Sequence, residues 1–236
     1  MSDIWLSPDG RQAKAYRTVK ISGPSEFMAN YFATEAMDIS RLIAWYDLRL
    51  TPNFLDDVTC RQLIHEAQAS GSDPASVYGQ GDGGQVNDLV RKAKRLKLPT
   101  STTEFVKQKL IEHRETIEEQ FSIPLKSCEE PQFLRYDIGD FFVAHQDGNT
   151  GLIRLSSDAE RRVSISILLN PQSEEPVPGT YSGGWLKFSD YRAEPQYSEF
   201  PLPIEAGTLV AFRSERTHEV TPITRGERYS IVSWYR

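Results

Sequence analysis

The chain has 236 residues, of which 39% are hydrophobic, 11% aromatic and 25% charged. That is enough apolar material for one large β-rich domain and excludes a mini-protein or global disorder. The 33 acidic and 27 basic residues leave a net charge of −6, which gives no general pull on phosphate backbones and argues against a nucleic-acid partner. Cys60 and Cys128 are the two cysteines, too far apart for a short metal-binding spacing and too few for a disulfide framework. With no basic leader and no apolar run of about 18 residues, the sequence reads as a cytoplasmic, membrane-free protein.

Residues 1–47 mix aromatic and charged side chains without a clean period, with a turn at Gly23-Pro24, and read as an N-terminal extension packing on the core. A helix is predicted over 57–70, with Asp56 or Asp57 as N-cap, Leu63, Ile64 and Ala67 as its apolar stripe and Gly71 as its stop. Residues 72–84 read as a loop rich in Ser, Asp and Gly. The following segment ends in the basic run Arg91-Lys92-Ala93-Lys94-Arg95-Leu96-Lys97, which reads as a solvated face. Val106, Leu110, Ile117 and Phe121 give one apolar face to a helix over 103–121 that should pack against a sheet. After Pro124 the pattern turns to short extended segments, near 131–138, 141–147, 162–169, 183–188, 207–212, 217–223 and 228–235, separated by Gly and Pro turns. Helices first and strands afterwards predict an α+β fold in which the early helices buttress a sandwich or barrel.

Of four histidines, two fall in the strand-rich half. In His145-Gln146-Asp147 the His and Asp are two apart, so on an extended strand both point to one side, and His218 offers a third ligand. Two imidazoles and one carboxylate on a face of an octahedron are the ligand set of non-haem Fe(II) oxygenases. An isolated HxD and a distant His carry little weight, and the same residues suit a surface His and a turn Asp before Gly148. Arg228 lies ten residues after His218, with Thr224-Arg225-Gly226-Glu227 before it as a hairpin loop. An odd-numbered loop with Gly226 in the left-handed region would let one hairpin present His218 and Arg228 to one cavity. Ser230 shares a face with Arg228, so a guanidinium fork and a hydroxyl could jointly hold a carboxylate.

Several ordered stretches carry a family likeness: Arg135-Tyr136-Asp137-Ile138-Gly139-Asp140 ahead of His145-Gln146-Asp147, Ser182-Gly183-Gly184-Trp185-Leu186, His218-Glu219-Val220-Thr221-Pro222, and Gly226-Glu227-Arg228-Tyr229-Ser230-Ile231-Val232-Ser233-Trp234-Tyr235. With them, residues 48–236 resemble the Fe(II)/2-oxoglutarate dioxygenase superfamily, in its prolyl 4-hydroxylase-like branch. The resemblance implies a double-stranded β-helix, or jelly-roll, core. It also implies His145, Asp147 and His218 as iron ligands, Arg228 as partner of the distal carboxylate of 2-oxoglutarate, and Tyr136 over that cosubstrate with Ser230 as a helper. Fe(II), 2-oxoglutarate and O₂, with ascorbate as an optional reductant, are the implied cofactors. Hydroxylation of a prolyl, peptidyl or small amino-acid-derived substrate, with release of succinate and CO₂, is the implied reaction. Because Asp147 is present where a halogenase would have Gly or Ala, hydroxylation is favoured over halogenation.

The residues themselves leave two other readings open: a metal hydrolase using the same three ligands, and a binding module in which the motifs persist only as architecture. Tyr136 and Ser230 also suit a core aromatic and a plain strand hydroxyl, Trp234 reads as packing, and Gly183 and Gly184 as a point of close strand approach. One departure from the branch stands out. Leu168 occupies the place, two residues before Asn170, where several peptidyl prolyl hydroxylases have a tyrosine that binds 2-oxoglutarate. The anion pocket must then lean on Arg228 with Ser230 or another hydroxyl. The polar stretch from Gly148 to Arg161 lies where substrate identity would be set.

Overall fold

The computed structural model describes residues 39–76, 87–148, 160–175, 177–193 and 198–236. The turn expected at Gly23-Pro24 and most of the N-terminal extension lie outside the described residues, as does most of the polar stretch after Gly148.

Three helices lead the described chain: α1 (Ile39–Trp45), α2 (Asp57–Ala69) and α3 (Thr100–Phe121). Asp56 caps α2, accepting the Thr59 amide at 2.7 Å, and thereby satisfies one of the free N–H groups of the first turn. On α3 the four predicted apolar residues Val106, Leu110, Ile117 and Phe121 are all buried, and each contributes roughly 1.5–3 kcal/mol of hydrophobic stabilisation. The helix begins three residues earlier than the apolar pattern suggested, at Thr100, directly after Pro99.

The strands are β1 (Arg49–Thr51), β2 (Ser72–Pro74), β3 (Arg91–Lys92), β4 (Lys94–Leu96), β5 (Gln132–Tyr136), β6 (Phe141–His145) and β7 (Val163–Leu168), followed by β8 (Ser182–Gly183), β9 (Leu186–Ser189), β10 (Glu199–Pro201), β11 (Leu209–Arg213), β12 (Thr217–Val220), β13 (Ile223–Arg225) and β14 (Arg228–Tyr235). They form a seven-stranded sheet ordered β1-β11-β7-β14-β5-β4-β2, a five-stranded sheet ordered β10-β9-β12-β6-β3 and a small β13-β8 pair, with every pairing antiparallel. This is the α+β arrangement expected, with a jelly-roll core behind buttressing helices.

The seven-stranded sheet is covered on both faces, so its central strands are buried almost end to end. Strand parity separates the two faces. On β14, Tyr229, Ile231 and Tyr235 join Ile165 and Ile167 of β7 in the cluster under α2 and α3, and the Tyr235 hydroxyl donates to the Leu110 carbonyl at 2.6 Å. The alternate residues Arg228, Ser230 and Trp234 face the other way, toward the five-stranded sheet. A second apolar cluster joins Leu42 and Tyr46 to Phe188, Phe200 and Phe212.

Three expectations are corrected. Residues 72–74, read as part of a loop, form β2 and pair with β4. The basic run is not a wholly solvated face: it forms β3 and β4, with Arg91, Ala93 and Leu96 only 7–8% exposed. Sequence periodicity missed this because the two strands are too short to show an alternation. Finally, His218 and Arg228 do not share a hairpin. His218 is on β12 of the five-stranded sheet and Arg228 on β14 of the seven-stranded sheet, and the intervening β13 pairs with β8 instead.

Candidate active site

The site lies between the two sheets. On β6 and β12, His145 and His218 are direct cross-strand partners. Two residues further along β12 the partner of Val220 is Phe142, so β6 spans three residues where β12 spans two. This bulge lets Phe142 and His145, which strict alternation would place on opposite faces, lie on the same one. Their rings stack with centroids 3.5 Å apart. Asp147 follows the strand, its amide donating to the Ser214 carbonyl at 2.9 Å.

These three side chains converge as the HxD spacing and the distant His predicted. Their ligand atoms all lie within 4.8 Å of one another, with His145 Nε2 3.4 Å and His218 Nε2 3.5 Å from the Asp147 carboxylate oxygens. Each imidazole is fixed through its other nitrogen: His145 Nδ1 lies 2.8 Å from the Val143 carbonyl and His218 Nδ1 2.9 Å from the Arg216 carbonyl. A carbonyl only accepts, so both Nδ1 atoms carry the proton and both Nε2 lone pairs face the third ligand. Burial pushes the His218 imidazole down to about 4, with the neighbouring His145 acting in the same direction. Burial alone would raise the Asp147 carboxyl, but His218 and His145 outweigh it and hold it well below the usual carboxylate range. Two imidazoles held through Nδ1 beside a carboxylate present the donor atoms that a divalent cation takes, so the donor set fits a metal ion. Glu219, the carboxylate next to His218, faces away and pairs with Lys187 at 2.6 Å.

Opposite the triad, Arg228 is 2% exposed. Its Nη1 donates to Ser230 Oγ at 2.9 Å, its guanidinium lies 5.4 Å from the Tyr136 ring centroid, and its Nε is buried with no hydrogen-bond partner. Among the described residues no carboxylate pairs with it. The structure therefore brings Arg228, Ser230 and Tyr136 together, with Arg228 and Tyr136 as cross-strand partners on β14 and β5. Leu168 faces Ser230 across the β7–β14 pairing and contributes only apolar surface.

Sequence reasoning missed several supports of this pocket. Asn170 donates to the Glu227 carbonyl at 2.8 Å and accepts the Tyr229 amide at 2.8 Å, gripping the chain on both sides of Arg228. Gly226 has φ 72°, and a Cβ there would lie 2.4 Å from the Thr180 carbonyl, so the turn into β14 admits only glycine without strain. Gly183 and Gly184 are the close approach expected: their Cβ atoms would lie 2.3 Å from the Pro222 carbonyl and from Ile223. Trp234, read as packing, is buried beneath the Arg161 guanidinium, 3.7 Å from its ring centroid, and stands close enough to Asp147 to help hold its carboxyl down. Arg91 lies over Phe142 at 4.7 Å, behind the ring that stacks on His145.

The family model of the 2OG-Fe(II) oxygenase superfamily matches residues 131–236, the stretch that holds all three triad residues and Arg228. The chain is 33% identical over 105 residues to a PKHD-type hydroxylase of Paracoccus denitrificans, covering 44% of this chain and 41% of the relative. A PKHD-type hydroxylase of Shewanella sp. (strain MR-7) is 36% identical over 104 residues, with 44% and 41% covered. The matched stretch thus spans about two fifths of the curated relatives. In fold, the chain resembles a Pseudomonas putida prolyl-4-hydroxylase (TM-score 0.60, 24% identity, 84% of this chain and 96% of that one). It also resembles a Trichoplax adhaerens prolyl hydroxylase solved with a hypoxia inducible factor peptide fragment (TM-score 0.58, 15% identity, 91% and 94% covered). The chain therefore shares its fold with these two prolyl hydroxylases. Among the described residues, no helix is long and apolar enough to cross a membrane.

Proposed function

We propose that this chain is a non-haem Fe(II) and 2-oxoglutarate-dependent dioxygenase that hydroxylates a prolyl or other amino-acid-derived substrate. His145, Asp147 and His218 hold Fe(II), and Arg228 with Ser230 holds the distal carboxylate of 2-oxoglutarate while Tyr136 forms a wall beside it. When bound, Fe(II) with 2-oxoglutarate and O₂ supplies oxidative decarboxylation to succinate and CO₂ coupled to hydroxylation of a C–H bond. Residues 48–236 form the catalytic domain, which residues 1–47 precede. A cytoplasmic location is part of the reading, supported by two free thiols, Cys60 and Cys128.

The observation that carries the reading is the pairing of opposite needs on two facing sheets. The triad offers a carboxylate and two imidazole nitrogens to a cation, and Arg228 offers a buried positive charge to an anion. A hydrolase built on the same triad would have no use for that cation. In the reaction, the chain's own residues fix the ligand lone pairs through backbone carbonyls, orient the cosubstrate through the guanidinium fork, and exclude water behind Phe212, Phe188 and Trp234. Support for hydroxylation comes from the PKHD-type hydroxylases, and for a peptidyl substrate from the peptide fragment bound to the Trichoplax protein.

Anaerobic addition of Fe(II) and 2-oxoglutarate is expected to give the weak visible charge-transfer band of a chelated 2-oxo acid. Its absence in iron-loaded protein would overturn the proposal. Succinate release across a panel of proline-containing peptides and free amino acids then identifies the substrate class.

A further inference from the structure

Leu168 removes a hydroxyl from the anion pocket, and the fold offers another. Tyr181 precedes β8 and is 2% exposed, in the same cluster as Tyr136, Leu168 and Ile223. Its backbone is tied on both sides, the amide donating to the Pro171 carbonyl at 3.3 Å and the carbonyl accepting the Ser173 amide at 2.8 Å. Gly184 explains how the ring comes so near Arg228. A Cβ at Gly184 would lie 3.1 Å from Arg228 Cδ and 3.2 Å from Tyr181 Cε2, so the two side chains flank the space that glycine leaves empty.

Hydrogen-bond direction decides what this cluster lacks. A guanidinium only donates, so Ser230 Oγ accepts from Arg228, and the Tyr181 hydroxyl beside it can only accept as well. Each hydroxyl then still has its own proton to give, and neither donates it to another acceptor among the described residues. Arg228 Nε is a third buried donor without a partner. Burial raises the Tyr181 phenol, which keeps it protonated at neutral pH. Three converging donors and no acceptor form a site for a group that only accepts, and each donor left unpaired in a buried site is costly.

We infer that Tyr181 is the third member of the anion pocket: its hydroxyl, with Ser230 and Arg228, holds the distal carboxylate of 2-oxoglutarate and so selects 2-oxo acids that carry such a carboxylate. This rests on the function proposed above. The tyrosine comes from the loop before β8 rather than from β7, so a binding role on one strand has been replaced by the same chemical group from a different part of the chain.

The test uses the full chain loaded anaerobically with Mn(II) and titrated by calorimetry with 2-oxoglutarate and with 2-oxobutyrate, which lacks the distal carboxylate. Tyr181→Phe keeps the ring and removes only the hydroxyl, so it should fold and bind Mn(II) as the parent does. Its affinity for 2-oxoglutarate should fall about 10- to 100-fold, the range for a lost hydrogen bond to a charged group, while its affinity for 2-oxobutyrate stays unchanged. Ser230→Ala should show the same selective loss to a smaller degree. If Tyr181→Phe binds 2-oxoglutarate as tightly as the parent, or weakens both 2-oxo acids equally, Tyr181 is a wall and the inference is overturned while the functional proposal stands. If the metal-loaded parent fails to bind 2-oxoglutarate, the functional proposal itself falls.

Discussion

The two halves of the site differ in how completely the protein satisfies them. On the five-stranded sheet, the triad is held in place by the backbone: both Nδ1 atoms donate to backbone carbonyls and the carboxylate lies between the two Nε2 atoms. On the seven-stranded sheet, Arg228 is more deeply buried than any triad member yet lacks an anion among the described residues, and its hydroxyl partners keep unspent protons. The first half is organised in advance for a cation that fits among existing contacts. The second is an incomplete charge pair whose missing member must arrive from outside. A ligand that chelates the ion at one end and carries a carboxylate at the other answers both.

The sharpest way to break this contrast is to remove the triad's only charge. Asp147→Ala should abolish Fe(II) binding under conditions where the parent is saturated, and with it succinate formation, as measured by metal analysis after gel filtration. Retained iron would mean that another ligand substitutes for Asp147. On the other sheet, Arg228→Leu leaves an incoming carboxylate desolvated without a partner, a loss of roughly 3–5 kcal/mol or about 150- to 5000-fold in affinity. Calorimetry should show 2-oxoglutarate binding collapse while Fe(II) binding holds, with Arg228→Lys recovering part of it because charge returns without the fork. Loss of iron in Arg228→Leu comparable to that in Asp147→Ala would erase the distinction between the halves.

Smaller changes sharpen it. Gly226→Ala forces a side chain into a left-handed turn against the Thr180 carbonyl, a strain of about 1–3 kcal/mol. Because that turn leads into Arg228 and not into the triad, 2-oxoglutarate affinity should fall more than Fe(II) affinity, alongside a lowered denaturation midpoint. Glu219→Gln should do least. It breaks a partly exposed pair with Lys187, at most about 1 kcal/mol of stability, and metal titration should give an unchanged Fe(II) affinity because the side chain faces away from the triad.

Much of this was legible in particular residues. His145 and Asp147 converge although Asp147 lies just beyond β6, and the 106, 110, 117, 121 stripe of α3 is buried against the sheet. The long β14 showed its two faces directly in Arg228-Tyr229-Ser230-Ile231. Less legible were elements too short to carry a period, such as β2 to β4, where Arg91 and Ala93 turned inward from what looked like a solvated basic run. The single-hairpin geometry expected for His218 and Arg228 also failed, because nothing local marks Ile223–Arg225 as a strand that leaves β12 to pair with β8.

By itself, the sequence determined which residue types are available and which face of each long element they occupy, because side-chain parity on a strand or helix is a local property of the backbone. Only the tertiary structure decided which faces meet. The β6 bulge that stacks Phe142 on His145, the crossing from one sheet to the other between His218 and Arg228, and the approach of Tyr181 to Arg228 over Gly184 all depend on long-range pairing. That pairing is settled by closing two sheets around one core, a cooperative result of burial that no window of the sequence contains.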